Sequence, residues 1–344
     1  MVTLGRPRLI SSIIGRPDAK RCLIFIALFV LLMAPVWFQS YPRLIYLLIV
    51  SFIWGGVAAS WDLVLGYANI FSLGQLSFFA IGAYTASILS MQTGMSILPS
   101  MFFGGLLAAG VGFLIGLPCL RLRGLYVGII TMAIQLVLPT LIINAPKGLG
   151  TGGSYGITGI PKLYVGGYIF PDPLVSLVPW YYVGFGIFIA IIFAVYKIIK
   201  SPLGLAFVSL RDAEPLAKIS GVNDYKYSLI LFSISAFLAG IAGAFYAPFT
   251  SVVSPQILDL GTFLFLFIMV SFGGMGKYPG AIIGAFIITF LNDALLATGV
   301  FRQVILGAIV VITMIYLPGG MMQVPEMVRG FIRKRNRRRE IIHA

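Results

Sequence analysis

The sequence is poor in charged residues, which make up only 10% of its 344 positions. A soluble domain carries about 25% charged residues to cover its surface, so this composition excludes an ordinary water-soluble fold. The chain is instead 59% hydrophobic, with a mean hydropathy of +1.02. Such a chain is solvated only if lipid surrounds most of its exterior, and its backbone polar groups must then be paired internally. The composition therefore predicts a membrane protein.

Cysteine and histidine are also scarce, with two residues and one residue respectively. Cys22 and Cys119 lie near predicted cytoplasmic helix ends, where thiols stay reduced, so we predict no disulfide. So few sulfur and imidazole ligands also exclude a metal site. The single histidine, His343, lies in the C-terminal tail. The G-x-S-x-G match at 152–156 therefore lacks the base that a serine hydrolase needs, and no catalytic residues are predicted.

Two glycine-rich segments match nucleotide-binding patterns only superficially. The G-x-G-x-x-G match at 148–153 follows no predicted strand and opens no predicted helix. The stretch 271–277 approaches a phosphate loop, but Ser271 stands at its first position and Tyr278 follows its lysine. We therefore predict that this chain binds no nucleotide and no other cofactor of its own.

Long uncharged runs predict helices rather than barrel strands, because barrel strands alternate polar and apolar residues. About 20 apolar residues cross a bilayer as a helix. Ten such helices are predicted, near 22–38, 44–61, 70–92, 97–117, 124–145, 180–199, 228–247, 261–275, 280–297 and 303–317. The expected fold class is all-α and polytopic. The last three runs are short, and a merger of two of them would leave nine spans.

The distribution of basic residues predicts how these helices are oriented. With the N-terminus in the cytoplasm and ten spans, the 24 Lys and Arg residues fall on the cytoplasmic side with the exception of Arg43, Lys147, Lys162 and Arg302. Basic residues are enriched in cytoplasmic loops, so both termini are predicted to be cytoplasmic. The apolar run 22–38 also fits a secretory signal peptide, but no small-x-small cleavage site follows it. We expect a retained first helix.

We predict three regions along the chain. A basic cytoplasmic tail at 1–21 precedes a transmembrane domain at 22–320, and a second basic cytoplasmic tail follows at 321–344. The loop at 146–179 is extracytoplasmic and rich in Gly and Pro. The loop at 200–227 is cytoplasmic, mixes basic with acidic residues, and is long enough to form a structured docking element. The C-terminal basic cluster predicts contact with anionic lipid rather than with nucleic acid.

Acidic residues are absent from the middle of every predicted span. The acidic residues nearest to the spans lie at or near predicted helix ends: Asp62, Asp172, Asp259 and Asp293. Ion-coupled transporters place ionisable groups near the membrane midplane, because those groups carry the coupling. A transporter without such groups is either passive or driven from outside the chain, and the loop at 200–227 offers a place for an external motor to act.

One predicted span carries an unusual set of polar and small residues near its start: Ser72, Gly74, Gln75 and Ser77. Such residues predict an interrupted helix that lines a cavity, which makes them candidates for a translocation pathway. The alternative is hydrogen bonding between helices with no substrate contact. Small residues four apart predict close helix packing elsewhere, at Gly112/Gly116, Gly124/Gly128 and Gly280/Gly284.

Several segments resemble the branched-chain amino acid ABC importer permeases of the LivM type, an inner-membrane translocator family shared with urea and sugar importers. The similar segments are Gly66–Thr85, Leu120–Thr131, Gly152–Pro161, Ser201–Gly204 with Leu210–Ala217, Ser235–Tyr246 and Gly273–Gly280. The likeness covers roughly 45–320. It implies an ABC importer permease fold and a multi-pass, non-catalytic subunit of the bacterial inner membrane.

The resemblance also implies the function and the partners. The chain would form half of the pathway for leucine, isoleucine and valine. Its partners would be a second homologous permease, two cytoplasmic ATP-binding subunits that hydrolyse ATP, and an extracytoplasmic solute-binding protein. A permease for urea, short amides or another small solute of the same family is the alternative. An ion-coupled secondary transporter or a channel is the alternative from a different class.

By the same resemblance, five residues would lie in or beside a coupling helix that contacts the ATPase: Leu210, Arg211, Asp212, Glu214 and Gly221. Arg211 and Glu214 are the candidates for direct contacts. Pro215 stands where alanine is expected, which affects where that helix ends. The alternative for this segment is a solvated amphipathic turn at the membrane surface.

Overall fold

The computed structural model describes residues 29–38, 40–122, 124–161, 164–165, 168–173, 175–299, 301–316 and 319–323. The predicted N-terminal tail, most of the predicted C-terminal tail, Cys22 and His343 lie outside these residues.

Helices dominate the described part of the chain. They are α1 (described over 29–37), α2 (Pro42–Asp62), α3 (Gln75–Thr93), α4 (Ile97–Cys119), α5 (Leu125–Ile143), α6 (Val178–Lys200), α7 (Pro202–Ile219), α8 (Asp224–Thr250), α9 (Leu260–Gly273), α10 (Gly280–Ala294) and α11 (Phe301–Tyr316). Each of the ten predicted ranges overlaps one of these helices, and α7 lies in the predicted loop at 200–227. The predicted all-α class is therefore confirmed.

Short strands form two small antiparallel ladders. β1 (Ile157–Thr158) pairs with β4 (Val252–Val253), and β2 (Tyr164–Val165) pairs with β3 (Tyr168–Ile169). Three of these strands lie in the predicted extracytoplasmic loop. The β1–β4 pair fastens that loop to the chain just after α8, with Ile157 opposite Val253. These strands are the small departure from an all-helical chain.

Six helices of the described residues are long and apolar enough to cross a membrane. They are Pro42–Tyr67, Ile97–Cys119, Leu125–Ile143, Val178–Lys200, Asp224–Thr250 and Gly280–Thr298. The apolar helices α9 and α11 are shorter, and α3 is rich in Ser, Thr and Gln. The protein is therefore polytopic, while the count of ten spans and the orientation of the termini stay predictions.

Close packing of α8 against α3 and α4 forms the centre of the molecule. A side chain at Gly82 of α3 would overlap the backbone of Gly240 in α8, and one at Gly112 of α4 would press on Ala236. Small residues let helix backbones approach in lipid, where van der Waals contact replaces the hydrophobic drive. The predicted packing role of the Gly112/Gly116 and Gly280/Gly284 pairs is confirmed by such contacts.

The prediction for Gly124 was wrong, because this residue is not in a helix interface. It precedes α5 with a φ of 58°, and no heavy atom lies near the position that a Cβ would take. Glycine adopts this left-handed backbone without steric cost, so Gly124 serves the turn between α4 and α5. Its partner in the predicted pair, Gly128, does pack closely, but against Phe71 in the non-helical stretch before α3.

Candidate functional site

The predicted pathway residues lie around a break between α2 and α3. The chain leaves α2 at Asp62, makes a π-helical turn over Leu63–Tyr67, and continues without regular structure until Gln75 begins α3. Asn69 has a φ of 54° in this stretch. The predicted start of the helix at residue 70 was therefore about five residues early. Two of the four residues, Ser72 and Gly74, precede α3 and the other two lie in its first turn.

The side chain of Gln75 joins three helices. Its amide nitrogen donates to Ser60 Oγ at 3.0 Å and to Ser235 Oγ at 3.1 Å. The hydroxyl of Ser235 also donates to the carbonyl of Ser60 at 2.6 Å. All three residues are buried, and they belong to α2, α3 and α8. In this conformation the side chain of Gln75 is used for hydrogen bonding between helices.

Ser72, Gly74 and Ser77 are enclosed by the same helices. Ser72 and Ser77 are each 1% exposed, and within the described residues their hydroxyls have no hydrogen-bond partner. The Trp61 indole donates to the carbonyl of Ser72 at 2.8 Å. On the other side, a side chain at Gly74 would press on the backbone of Thr131. The pathway role of the four residues stays a prediction, since in this structure they are packed inside the chain.

A buried amide on α5 was missed at the sequence level. Gln135 is fully buried, and neither its amide nitrogen nor its oxygen has a hydrogen-bond partner among the described residues. A buried polar group without a partner costs roughly 1–3 kcal/mol. The sequence did offer a sign of this residue, because Gln135 is the one amide side chain in the middle of an uncharged and largely apolar predicted span.

The predicted coupling segment folds into α7, which begins at Pro202. The helix is interrupted at Ala213, where φ is −151° and ψ is 65°. Leu210, Arg211 and Asp212 close its first half, and Glu214 opens the second half, with a side chain that lies outside those described. Pro215 follows the interruption at once, a position where its missing N–H removes no helical hydrogen bond.

The turn after α7 contains the last predicted coupling residue. Gly221 has a φ of 85° and no neighbour near the position of a Cβ, so it serves this turn. Asn223 then caps α8 by accepting a hydrogen bond from the backbone N–H of Lys226 at 3.1 Å. The cap was not predicted, although Asn followed by Asp is a common start of a helix.

Arg211 and Asp212 differ in what they contact. The Arg211 guanidinium donates to the carbonyl of Gly66 at 3.2 Å and to the Asp212 carboxylate at 2.8 Å. Its side chain is 30% exposed, while that of Asp212 is 59% exposed. The hydrogen bond from Arg211 holds the pKa of the Asp212 carboxyl below its usual value. Arg211 therefore faces the π-helical turn, and Asp212 presents a carboxylate at the surface.

A second set of bonds joins the same turn to the loop between α9 and α10. The Asp62 carboxylate accepts from the backbone N–H of Gly276 at 2.7 Å. A Cβ at Gly66 would overlap both the nitrogen of Gly276 and the Asp62 carboxylate, so only glycine fits there. We call Asp62, Gly66, Arg211 and Gly276 the Asp62 junction. It links α2, α7 and the α9–α10 loop at one end of the molecule.

A cavity of about 890 Å³ lies beside this junction. Leu210, Arg211 and Gly221 line it together with Asn69 and residues of the α4–α5 turn and the start of α8. The structure thus brings three predicted coupling residues next to the break that precedes α3. Ser72, Gly74, Gln75 and Ser77 are not among the lining residues.

Long apolar helices that expose apolar side chains define a multi-pass membrane protein, and a kinked helix, α7, follows the end of one of them. The family described as the permease component of branched-chain amino acid transport systems matches residues 43–314, and the chain belongs to this family of ABC importer permeases. It is accordingly a multi-pass protein of the bacterial inner membrane, as predicted.

Individual relatives support this assignment. The high-affinity branched-chain amino acid permease LivM of Escherichia coli is 29% identical over 340 residues, which cover 93% of this chain and 79% of that protein. The ribose import permease RbsC of Haemophilus influenzae is 32% identical over 132 residues, or 36% of this chain and 41% of its own length. LivH of Escherichia coli is 27% identical over 143 residues, which cover 41% of this chain and 46% of that protein. No solved structure matches the chain.

Proposed function

We propose that the chain forms one half of the translocation pathway of an ATP-driven importer for leucine, isoleucine and valine. A second, related permease would complete the pathway. Two cytoplasmic subunits would bind and hydrolyse ATP, and an extracytoplasmic binding protein would deliver the solute. The observation that carries the proposal is the family match over 43–314, together with the similarity to LivM along 93% of the chain.

The partial similarity to LivH supports the pairing of two related permeases. Exposed apolar side chains on α5 agree with a further protein or lipid neighbour, since an apolar surface in water is costly. Leu125, Tyr126, Ile129, Leu136 and Leu141 are all exposed on this helix.

The contacts of α7 support the proposal that the ATPase acts on the permease through this helix. A displacement of α7 by the ATPase would reach the carbonyl of Gly66 through the Arg211 guanidinium. It would then reach the α9–α10 loop through the Asp62 carboxylate. Packed groups joined by hydrogen bonds move together because protein interiors are dense and hardly compressible. In this proposal Asp212 is the exposed carboxylate that an ATPase surface meets.

One alternative class of substrate is supported by an observation. The ribose permeases match part of the chain, so a sugar or another small solute such as urea is the alternative cargo. An ion-coupled carrier would require a carboxylate that titrates during transport. The Asp62 carboxylate is instead engaged by the Gly276 N–H.

The test is reconstitution of the permease with its partner permease, ATPase and binding protein in liposomes. We expect leucine uptake that requires ATP on the ATPase side, and that unlabelled isoleucine and valine reduce but ribose and urea do not. Uptake by this chain alone, driven by a proton or sodium gradient, would refute the proposal. Uptake of ribose or urea in the complete system would refute the substrate assignment and leave the subunit role intact.

A further inference from the structure

A second cavity lies at the end of α9 that is opposite to the Asp62 junction. It has a volume of about 810 Å³ and is lined by residues of α2, α9, α10 and α11. α9 begins there at Leu260 and ends at Gly273, next to the junction. At 1.5 Å per residue the 14 residues of α9 are about 20 Å long, so the start of the helix, beside Asp259, lies about that far from the end next to the junction.

The wall of this cavity is mostly apolar. Trp54 from the middle of α2 reaches it, and so do Phe265 of α9 and Leu306 of α11. Trp54 is 8% exposed and packs its ring edge-to-face with Phe265, with a centroid distance of 5.9 Å. An apolar lining with a few placed polar groups is the general character of a small-molecule site.

The polar groups of the wall include one acid and one base. Asp259 precedes α9 at its N-cap position but makes no capping bond with its side chain. Arg302 lies in the first turn of α11. Both line the cavity. In the described part of the chain, no ion pair or side-chain hydrogen bond engages either of them. The neighbouring Asp293, in contrast, is paired with Arg43 at 3.0 Å.

From this arrangement we infer that the cavity binds a zwitterionic, apolar α-amino acid during transport. The Arg302 guanidinium would receive the carboxylate and Asp259 the ammonium group, while Trp54, Phe265 and Leu306 would contact the aliphatic side chain. Charge-assisted hydrogen bonds of this kind are stronger than neutral ones. A sugar or urea carries no charge for either group, so the cavity favours amino acids over these solutes. The inference rests on the proposed function and adds the place in this chain where the substrate binds.

Protection of an introduced cysteine measures occupancy directly. Thr262 lines the cavity, and Thr262→Cys is made in the full chain with Cys22→Ser and Cys119→Ser, within the complete transporter in liposomes. A membrane-impermeant maleimide labels the cysteine with and without leucine. We expect labelling to slow about tenfold at ten times the half-protecting leucine concentration. Val252→Cys, an exposed position outside the cavity, is the matched control and should not be protected.

Substitution of the two charged residues tests how the ligand is held. Arg302→Gln and Asp259→Asn should each raise the half-protecting leucine concentration roughly ten- to hundredfold, because each removes one charge-assisted bond. Arg302→Lys keeps the charge but not the planar fork, so its effect should be smaller. Size-exclusion profiles of the purified complexes check that each variant folds.

The outcomes separate this inference from the proposed function. Leucine uptake by the complete transporter with no protection of Thr262→Cys would overturn the cavity inference alone. Protection that neither Asp259→Asn nor Arg302→Gln weakens would overturn the assigned contacts. Absence of leucine uptake, with ribose or urea imported instead, would overturn both the substrate assignment and the inference.

Discussion

The contacts at the end of the molecule that contains the Asp62 junction differ from those at the end that contains the second cavity. At one end the Asp62 junction buries a carboxylate, brings the backbones of Gly66 and Gly276 together and ties α7 to both. At the other end an ion pair joins Arg43 to Asp293, with the arginine side chain 69% exposed, and residues of α9 and α11 line a large cavity.

This difference indicates how the two ends can contribute to transport. Contacts between backbones leave little room for adjustment, so under the proposed function the junction would move as one unit. At the cavity end, no side-chain partner within the described residues engages Asp259 or Arg302, and the cavity encloses about 810 Å³. Under the same proposal, a force applied at α7 would move the junction and change the width of the opposite end. Substitutions matched between the two ends test this contrast.

The largest effect is expected from a side chain at the junction. Gly66→Ala places a Cβ into the backbone nitrogen of Gly276 and the Asp62 carboxylate. Overpacking costs about 1–3 kcal/mol and occasionally more. Because this Cβ would overlap a backbone nitrogen, we expect a loss at the upper end of that range. Thermal unfolding of the purified protein in detergent measures this.

Gly261→Ala is the control at the cavity end. A Cβ there meets only Gln303 Nε2 at an ordinary 3.5 Å, and alanine favours a helix over glycine by about 1 kcal/mol. This variant should be as stable as the parent or slightly more so. Equal stability of Gly66→Ala and Gly261→Ala would show that the two ends do not differ in packing.

The next largest difference in stability is expected between substitutions of Asp62 and Asp293, one carboxylate from each end. Asp62→Ala leaves the partly buried N–H of Gly276 without its charged acceptor, which should lower the free energy of unfolding by about 1.5–3 kcal/mol. Asp293→Ala breaks an ion pair whose arginine is exposed, and such pairs contribute less than about 1 kcal/mol. Chemical denaturation in matched detergent compares the two.

Asp62→Asn separates structure from ion coupling. Asparagine keeps an acceptor oxygen for Gly276, so most of the stability and ATP-driven uptake should remain. If leucine uptake followed a proton gradient in the parent and lost that dependence in Asp62→Asn, the carboxylate would be a coupling site and its structural role would be secondary.

The positions of the helices were predictable from the sequence because charges are sparse enough to mark their ends. The start of α3 was predicted about five residues early. Ser72 and Gly74 indicated an interruption, but its extent depends on local backbone geometry such as the positive φ of Asn69. The break of α7 at Ala213 was signalled by Pro215, which cannot donate a backbone hydrogen bond.

The junction itself could not be predicted. Asp62 and Gly276 are 214 residues apart in the chain, and their contact depends on how α2, α9 and α10 pack. The sequence resemblance placed Arg211 in the coupling segment, but its bond to the Gly66 carbonyl depends on the same tertiary contacts. For the same reason Asp259 and Arg302, which have no side-chain partner within the described residues, appeared in the sequence only as charges at helix ends.

A smaller loss of stability is expected from a substitution of Gln75. The same substitution tests whether Gln75 only packs between helices or also lines the translocation pathway. In Gln75→Leu the hydroxyl of Ser235 still donates to the carbonyl of Ser60, so stability should fall by only about 0.6–1.7 kcal/mol, as for single polar contacts in membrane proteins. If Gln75 only packs, leucine KM stays unchanged. A raised KM with unchanged stability would place Gln75 in the pathway. Ser87→Ala on the same helix is the control, because its hydroxyl bonds only within α3.

The smallest change in stability is expected at Arg211, together with a change in coupling. Arg211→Gln removes a hydrogen bond from a partly exposed side chain, which should lower the free energy of unfolding by less than about 1 kcal/mol. If Arg211 transmits the motion of α7 to the Gly66 carbonyl, leucine transported per ATP hydrolysed should fall about fivefold or more, with ATP hydrolysis retained. Lys226→Gln is the control, because Lys226 is exposed at the same end and lies outside the junction. If the amount of leucine transported per ATP hydrolysed is unchanged in Arg211→Gln, α7 moves the other helices through another contact. The junction would then contribute to stability but not to the transmission of force.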